Sequence, residues 1–186
     1  MINNKYLKLL RSIQRFDENN FIYNVIAKRI IDSIDLIKIN FDQVLEIGVN
    51  DSVIYDYILN NFENSNISSV DLCKSKQRIR NSNFIELNLN NIKFEKNFYN
   101  LIFSNCFLHL TNDIEIFLSS IYESLKPNGF FIAAIPQSDN MYQMINSMYE
   151  TDLHLYKGAY RRNNPSHKVE KILHTIKKIN FYSPNI

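Results

Sequence analysis

Glycine occurs only three times in this 186-residue chain, cysteine twice, proline four times and tryptophan not at all. Cys73 and Cys106 lie far apart, with no CxxC or Cys/His spacing around them. That argues against a disulfide framework or a zinc site and for reduced thiols. No apolar run approaches the roughly 20 residues that a membrane-spanning helix needs. The net charge is only +2 and the sequence pI about 8.4, well short of the basic density of a nucleic-acid binder. SxxK, GxSxG and HExxH are all missing, which argues against a covalent nucleophile or a zinc protease. Heavy use of Asn, Ile and Lys beside scarce Gly reads as an AT-rich coding bias. What is present is a hydrophobic fraction of 45%, enough for one substantial core, so one compact unit is the default.

The chain is organised around Gln43 to Ser52. Val44 to Ile47 reads as a short buried strand, Gly48 breaks it, and Val53, Ile54, Tyr57 and Ile58 then fall on one helical face. A strand, a tight turn and a helix bring helix N–H groups beside a strand's carboxyl end, where an anionic or nucleotide-like ligand can be cradled. Glu46 interrupts the apolar strand, and burying its carboxylate is costly without a partner. A cofactor amine or hydroxyl is one such partner; a backbone N–H or a lysine is the other.

Before this stretch, residues 1–16 carry Lys5, Lys8, Arg11 and Arg15 with no acid, and Leu7, Leu10 and Ile13 share a helical face. This is either a mitochondrial targeting segment or an ordinary basic helix. Phe21 to Ile37 is apolar at helical spacing. After it come a strand over Phe41–Ile47, a helix over Val53–Phe62 and a second strand over Ile67–Leu72. That second strand ends in Asp71–Leu72, a little over twenty residues past Gly48. In nucleotide-type folds this separation delivers a carboxylate to a ribose diol. A plain strand-end Asp is the alternative.

Lys74 to Arg80 reads as a solvated basic helix or turn. Phe84–Leu87 is a third strand, and Asn88–Leu89 follows it. Leu101–Phe103 is a fourth buried strand. Ile114–Leu125 is an amphipathic helix stopped by the turn residues Lys126-Pro127-Asn128-Gly129. Phe130–Ile135 is the fifth strand, and Phe181-Tyr182-Ser183 looks like the opening of a sixth. The β-α alternation predicts an α/β fold with one doubly wound parallel sheet and a ligand crevice at the carboxyl ends of strands one, two and four.

Glu46-Ile47-Gly48 resembles the first motif of class I S-adenosylmethionine-dependent methyltransferases, usually E/D-x-G-x-G-x-G. Asn50 and Ser52 stand at its second and third glycines. The run Phe98 to Asp113, FYNLIFSNCFLHLTND, together with LKPNGFF at 125–131, is similar to the fourth strand, helix and fifth strand of that superfamily in its methyltransferase type 11 form. Phe16-Asp17, His109 to Asp113 and Asp139 to Tyr142 narrow the likeness. They point to the branch that holds the malonyl-acyl-carrier-protein methyltransferase of biotin synthesis and the complex I assembly arginine hydroxylase.

The resemblance implies a Rossmann-like methyltransferase sheet that binds S-adenosylmethionine through Glu46, Gly48, Asn50, Ser52, Asp71, Leu72, Asn88, Leu89 and Asn105. Asn88 stands where the pattern usually has an acid. Residues 1–40 form an N-terminal helical segment, 41–136 the cofactor-binding core, and 137–186 a helical substrate-side arm. Strand four's usual "FD" is Tyr99-Asn100, and an Arg common in that arm is replaced by Ile145. The strand six to seven hairpin is missing, so the chain reads as C-terminally truncated, with strand five as an edge open to another copy.

No catalytic residue stands out except His109, which can orient a substrate, move a proton or simply pack. Methyl transfer needs little beyond an aligned acceptor in a dry site. Tyr142, Tyr149, Tyr156 and Tyr160 can line a pocket or pack. His154, Arg161, Arg162, His167 and His174 form no ligand pattern, and no metal is expected.

Two functions follow. One is an S-adenosylmethionine-dependent methyltransferase or a complex I assembly-type hydroxylase, acting on a protein such as a complex I subunit or on an acyl carrier, in the cytoplasm or the mitochondrial matrix. The other is a degenerate binding or assembly protein of the same fold. A nicotinamide-dependent enzyme has the wrong glycine fingerprint. An open crevice at Gly48 facing Asp71 would favour the first; side chains of Asn50 or Ser52 filling it would favour the second.

Overall fold

The computed structural model describes residues 3–13, 20–50, 52–74, 83–137, 139–160 and 167–184. Phe16-Asp17, Arg15, the basic stretch from residue 75 to Arg80, and Arg161-Arg162 lie outside them.

Five parallel strands form one sheet in the order β3-β2-β1-β4-β5. They are β1 (Gln43–Ile47), β2 (Asn66–Asp71), β3 (Phe84–Glu86), β4 (Tyr99–Asn105) and β5 (Leu125–Ala134). Parallel strands need helical crossovers and buried faces, so the central strands read as near-continuous apolar runs. Val44, Leu45 and Ile47 of β1 and Leu101 and Ile102 of β4 are fully buried.

Helices cover both faces. On one, α2 (Phe21–Asp35) and α3 (Val53–Asn61) bury Ala27, Ile30, Ile34, Ile54 and Ile58 against Phe41, Val44 and Phe103. On the other, α4 (Ile114–Ser124) and α6 (Val169–Lys178) pack Phe117, Leu118, Ile121 and Ile172 against Leu45, Ile47 and Ile102. Asp113 caps α4, its carboxylate accepting from the N–H groups of Glu115 and Ile116 at 3.0 and 3.1 Å. That satisfies two of the donors that every helix start leaves open.

The N-terminal helix α1 (Asn4–Ile13) does not bury the expected face. Leu7 joins the core, but Leu10 and Ile13 are exposed, and the second buried residue is Arg11. Leu7 and Arg11 are four apart and therefore share a face.

The Lys126–Gly129 turn lies inside β5 and does not precede it. Tyr99 pairs with Leu125 but Leu101 with Phe130, so the intervening residues of β5 bulge out of the ladder, with Asn128 at φ 64°. No strand follows β5 among the described residues. Phe181 leads into coil, where its ring packs 5.1 Å from Tyr122 and 6.1 Å from Phe131.

The last helix to place, α5 (Tyr142–Tyr156), buries only Asp152, which accepts from the Tyr160 N–H at 3.3 Å. Tyr142, Tyr156 and Tyr160 face solvent and Tyr149 is half-buried, with the Tyr156 and Tyr160 rings 6.2 Å apart. Among the described residues no helix is long and apolar enough to cross a membrane.

Candidate functional site: the crevice above Gly48

The strand order reverses direction between β1 and β4, and parallel sheets bind ligands at the carboxyl ends of such neighbouring strands. Gly48, Asp71 and Asn105 end β1, β2 and β4 and meet there. A shallow depression bordered by Asp35, Ile37, Asn40 and Phe62 sits at the opposite rim and plays no part in this site.

Gly48 leaves β1 at φ +82°, donating its N–H to Val70 O at 2.8 Å. Only glycine reaches that conformation without cost. A glycine here also keeps a close approach open, and a side chain of the same chain takes it. The Phe107 ring lies over the turn, 2.4 Å from where a Cβ on residue 48 would be. Phe107 is fully buried and follows Cys106, whose φ of 55° turns the chain as it leaves β4.

Asp71 has no solvent exposure. Its carboxylate accepts the N–H of Val49 at 2.9 Å and its neighbour Leu72 N–H at 2.6 Å. Arg11 completes the arrangement: Nε donates to Oδ1 at 3.1 Å and Nη2 to Oδ2, a bidentate ion pair. Arg11 Nη1 also donates to Asn50 Oδ1 at 2.6 Å, while Asn50 Nδ2 donates to the carbonyl of Asn105. The guanidinium sits 5.6 Å above the Phe107 ring, within cation–π range.

The other expected site residues divide. Glu46 is buried and accepts the Ser69 hydroxyl at 2.7 Å, so a side chain of β2 partners it. Asn105 Nδ2 donates to the carbonyl of Tyr23 at 2.9 Å. Leu72 is buried and Leu89 half-buried against the core. Ser52 is exposed ahead of α3. Asn88 is exposed, its Oδ1 turned back to the Asn90 N–H at 3.0 Å. Asn50, not Ser52, reaches into the crevice, as the binding or assembly reading expects, but it does so by holding Arg11, and the side chain that covers Asp71 is Arg11. Arg11 and Phe107 were not legible as site residues. The available signals were the four-residue spacing from Leu7 to Arg11 and a strand-end Asp that needs a cation.

His109 lies in a single 3-10 turn, Leu108–Leu110, half-buried, with Nδ1 buried and lacking a hydrogen-bond partner. Burial first, then the charges of Arg11 and His167, lower its pKa to about 4. Folded His109 therefore stays neutral where an unfolded histidine, titrating near 6.5, has gained a proton. The unfolded state binds more protons between those values, so this contribution is whole above about pH 6.5 and is lost as pH falls toward 4. Its ceiling is on the order of 3 kcal/mol. Urea unfolding of wild type and His109→Gln at several pH values in that window is expected to show a shallower slope in the variant; equal slopes would refute the assignment. Among the described residues no group of His, Cys, Asp or Glu is arranged to hold a metal.

Sheet order, glycine turn and strand-end carboxylate together define a doubly wound, Rossmann-like α/β fold. Residues 45–133 match the family model described as a methyltransferase domain. Two curated relatives are similar over most of the chain, both named "Arginine-hydroxylase NDUFAF5, mitochondrial". The Homo sapiens protein is 24% identical over 166 residues and the Rattus norvegicus protein 25% over 169; each alignment covers 87% of this chain and 48% of the relative. The chain thus spans about half the length of the curated relatives it matches.

Among solved structures, an S-adenosylmethionine-dependent methyltransferase from Mesorhizobium loti superposes with a TM-score of 0.62 at 13% identity, over 86% of this chain and 83% of that one. A Haemonchus contortus phosphoethanolamine N-methyltransferase, bound to S-adenosylhomocysteine, gives 0.56 at 18% identity, over 84% of this chain and 37% of that one. At these identities the likeness establishes the fold.

The fold family implies S-adenosylmethionine, and the site meets that half-way. The acceptor and the turn are present. As folded here, however, Arg11 occupies the acceptor and Phe107 the space over the turn, so the group does not fit beside them.

Proposed function

We propose that this protein is an S-adenosylmethionine-dependent enzyme with its cofactor site between Gly48 and Asp71. The observation that carries the reading is Asp71, a fully buried carboxylate at the end of β2, beside a positive-φ glycine turn at the point where the strand order reverses. A carboxylate so placed can accept both hydroxyls of a ribose. Asn105, Leu72 and Leu89 sit around the same rim, and Asn88 can join them only by giving up its bond to Asn90.

On the substrate side, His109 offers a neutral imidazole near Arg11 and His167. The curated relatives' printed name favours an arginine as acceptor. Together with the resemblance to the complex I assembly branch, that supports a hydroxylase or methyltransferase acting on a complex I subunit, with an acyl carrier protein as the other acceptor class. The same name favours the mitochondrial matrix over the cytoplasm. Residues 41–136 would form the cofactor-binding core, between the N-terminal helices and a substrate-side arm. The outer edge of β5, which pairs with no strand among the described residues, is where a second copy would add.

Calorimetric titration with S-adenosylmethionine and S-adenosylhomocysteine tests the reading. Binding is expected, lost or weakened at least about tenfold in Asp71→Asn, where a charge-assisted hydrogen bond is removed. No heat at millimolar ligand from folded wild type and folded Arg11→Met alike would sink it, and leave a binding or assembly role for the fold. Sedimentation of the same samples over a concentration series reads the oligomer; a monomer throughout refutes pairing at β5.

A further inference from the structure

We propose that α1 is a latch on the cofactor crevice, with Arg11 occupying in the free protein the carboxylate that the ligand's diol must take. The inference rests on the cofactor reading above. It adds that binding is a displacement: α1 has to withdraw Arg11 before a ligand can reach Asp71.

Several observations converge on this. Arg11 is 5% exposed although it belongs to a ten-residue helix at the edge of the molecule. All three of its guanidinium nitrogens are committed inside the crevice, two to Asp71 and one to Asn50. Asn50 stands at a position where the resembled motif has glycine. A glycine there could neither receive Arg11 nor tie it to the Asn105 carbonyl, so the departure at residue 50 builds the socket for the latch.

The rest of α1 is held lightly. Leu7 enters the core, while Tyr6, Leu9, Leu10 and Ile13 are exposed. Among the described residues, α1 is tied outside the crevice by an exposed Lys8–Glu86 ion pair and by Asn4, which donates to Asn90 at 2.8 Å and accepts from Asn112 at 3.4 Å. Exposed pairs of this kind contribute little. Among the described residues, the helix is therefore fixed mainly by Leu7 and by the contact that a ligand would replace. A ligand whose site is open only part of the time binds with its affinity reduced by that fraction.

The test uses the full chain, with S-adenosylhomocysteine as the probe and two variants. Arg11→Met keeps most of the side chain's bulk and removes its charge; Asn50→Gly removes the second acceptor and leaves Asp71 intact. Each is expected to bind the probe roughly tenfold or more tightly than wild type. In the absence of ligand, amide exchange over residues 5–13 is expected to be faster in both variants. In wild type the probe itself is expected to speed it.

Equal affinity in wild type and variants, or exchange over α1 that neither the substitutions nor the probe alters, overturns the latch while leaving the cofactor reading intact. Failure of all three folded proteins to bind overturns both, since nothing is then being held out. The two failures are distinguished by whether any heat is seen.

Discussion

Asp71→Ala is expected to destabilise the protein by about 3–5 kcal/mol, the range found when one member of a buried ion pair is removed. The residue answers more than Arg11. Its carboxylate also takes the N–H groups of Val49 and Leu72, and an orphaned buried donor costs about 1–3 kcal/mol. Arg11 itself has an escape, because α1 can swing outward and carry the charge to water. That escape exposes Leu7, whose burial is worth about 1.5–3 kcal/mol, so the penalty stays large by either route.

The two contributions separate in a double-mutant cycle with Arg11→Met. In the Arg11→Met background only the backbone donors are left to lose, so Asp71→Ala is expected to cost about 2 kcal/mol less than it does in wild type. Arg11→Met alone is expected to be the milder single change, because Val49 and Leu72 still hold the carboxylate. Urea unfolding of the four proteins measures all of this. Additivity within about 0.5 kcal/mol would mean that the pair is not coupled, and the crevice described here would be wrong at its centre.

The same site shows where sequence reasoning stops. β1 and β4 were legible because a strand buried on both faces is mostly apolar, as Val44, Leu45 and Ile47 and Leu101 to Phe103 are; β2 carries Ser68 and Ser69 between Ile67 and Val70 and shows no such run. Gly48 was legible because a glycine between a strand and a helix pattern has few other uses. Asp71 followed from its distance to that glycine. Arg11 was not legible, because periodicity reports which residues are apolar, not which polar residue finds a partner sixty positions away. On α1 the apolar stripe Leu7–Leu10–Ile13 shares only Leu7 with the face that packs.

Phe107 was hidden for a related reason. An aromatic beside a strand end reads as core, and only three-dimensional placement shows that it caps a glycine. The β5 turn was recognised from Pro127 and Gly129, but that the ladder resumes on both sides of it depends on pairing with β4. The resemblance carried over the acidic site and the sheet. It said nothing of the arginine now seated on that acid.

The scarcity of glycine makes a second large effect easy to isolate, because all three positions can be tested as one series. Gly48→Ala is expected to be the most damaging. Its φ of +82° alone costs an L-residue about 1–2 kcal/mol. The new methyl would then stand 2.4 Å from both Cβ and Cδ2 of Phe107. The Cβ is anchored to the backbone, so no rotamer change relieves the contact, and Phe107 is fully buried. Overpacking of this kind adds about 1–3 kcal/mol, giving about 2–5 kcal/mol in all.

Gly129→Ala is expected to fall in between. Its Cβ would meet the Lys126 carbonyl oxygen at 2.9 Å, without a positive φ to add to the cost. Gly158→Ala meets nothing within 4 Å, so it is expected to lie within about 0.5 kcal/mol of wild type or slightly above it, since alanine has less freedom to lose from the unfolded chain. Denaturant midpoints read the order directly. A Gly48→Ala protein as stable as Gly158→Ala would show that Phe107 does not sit over the turn, and Arg11 would then be the side chain that a ligand has to displace.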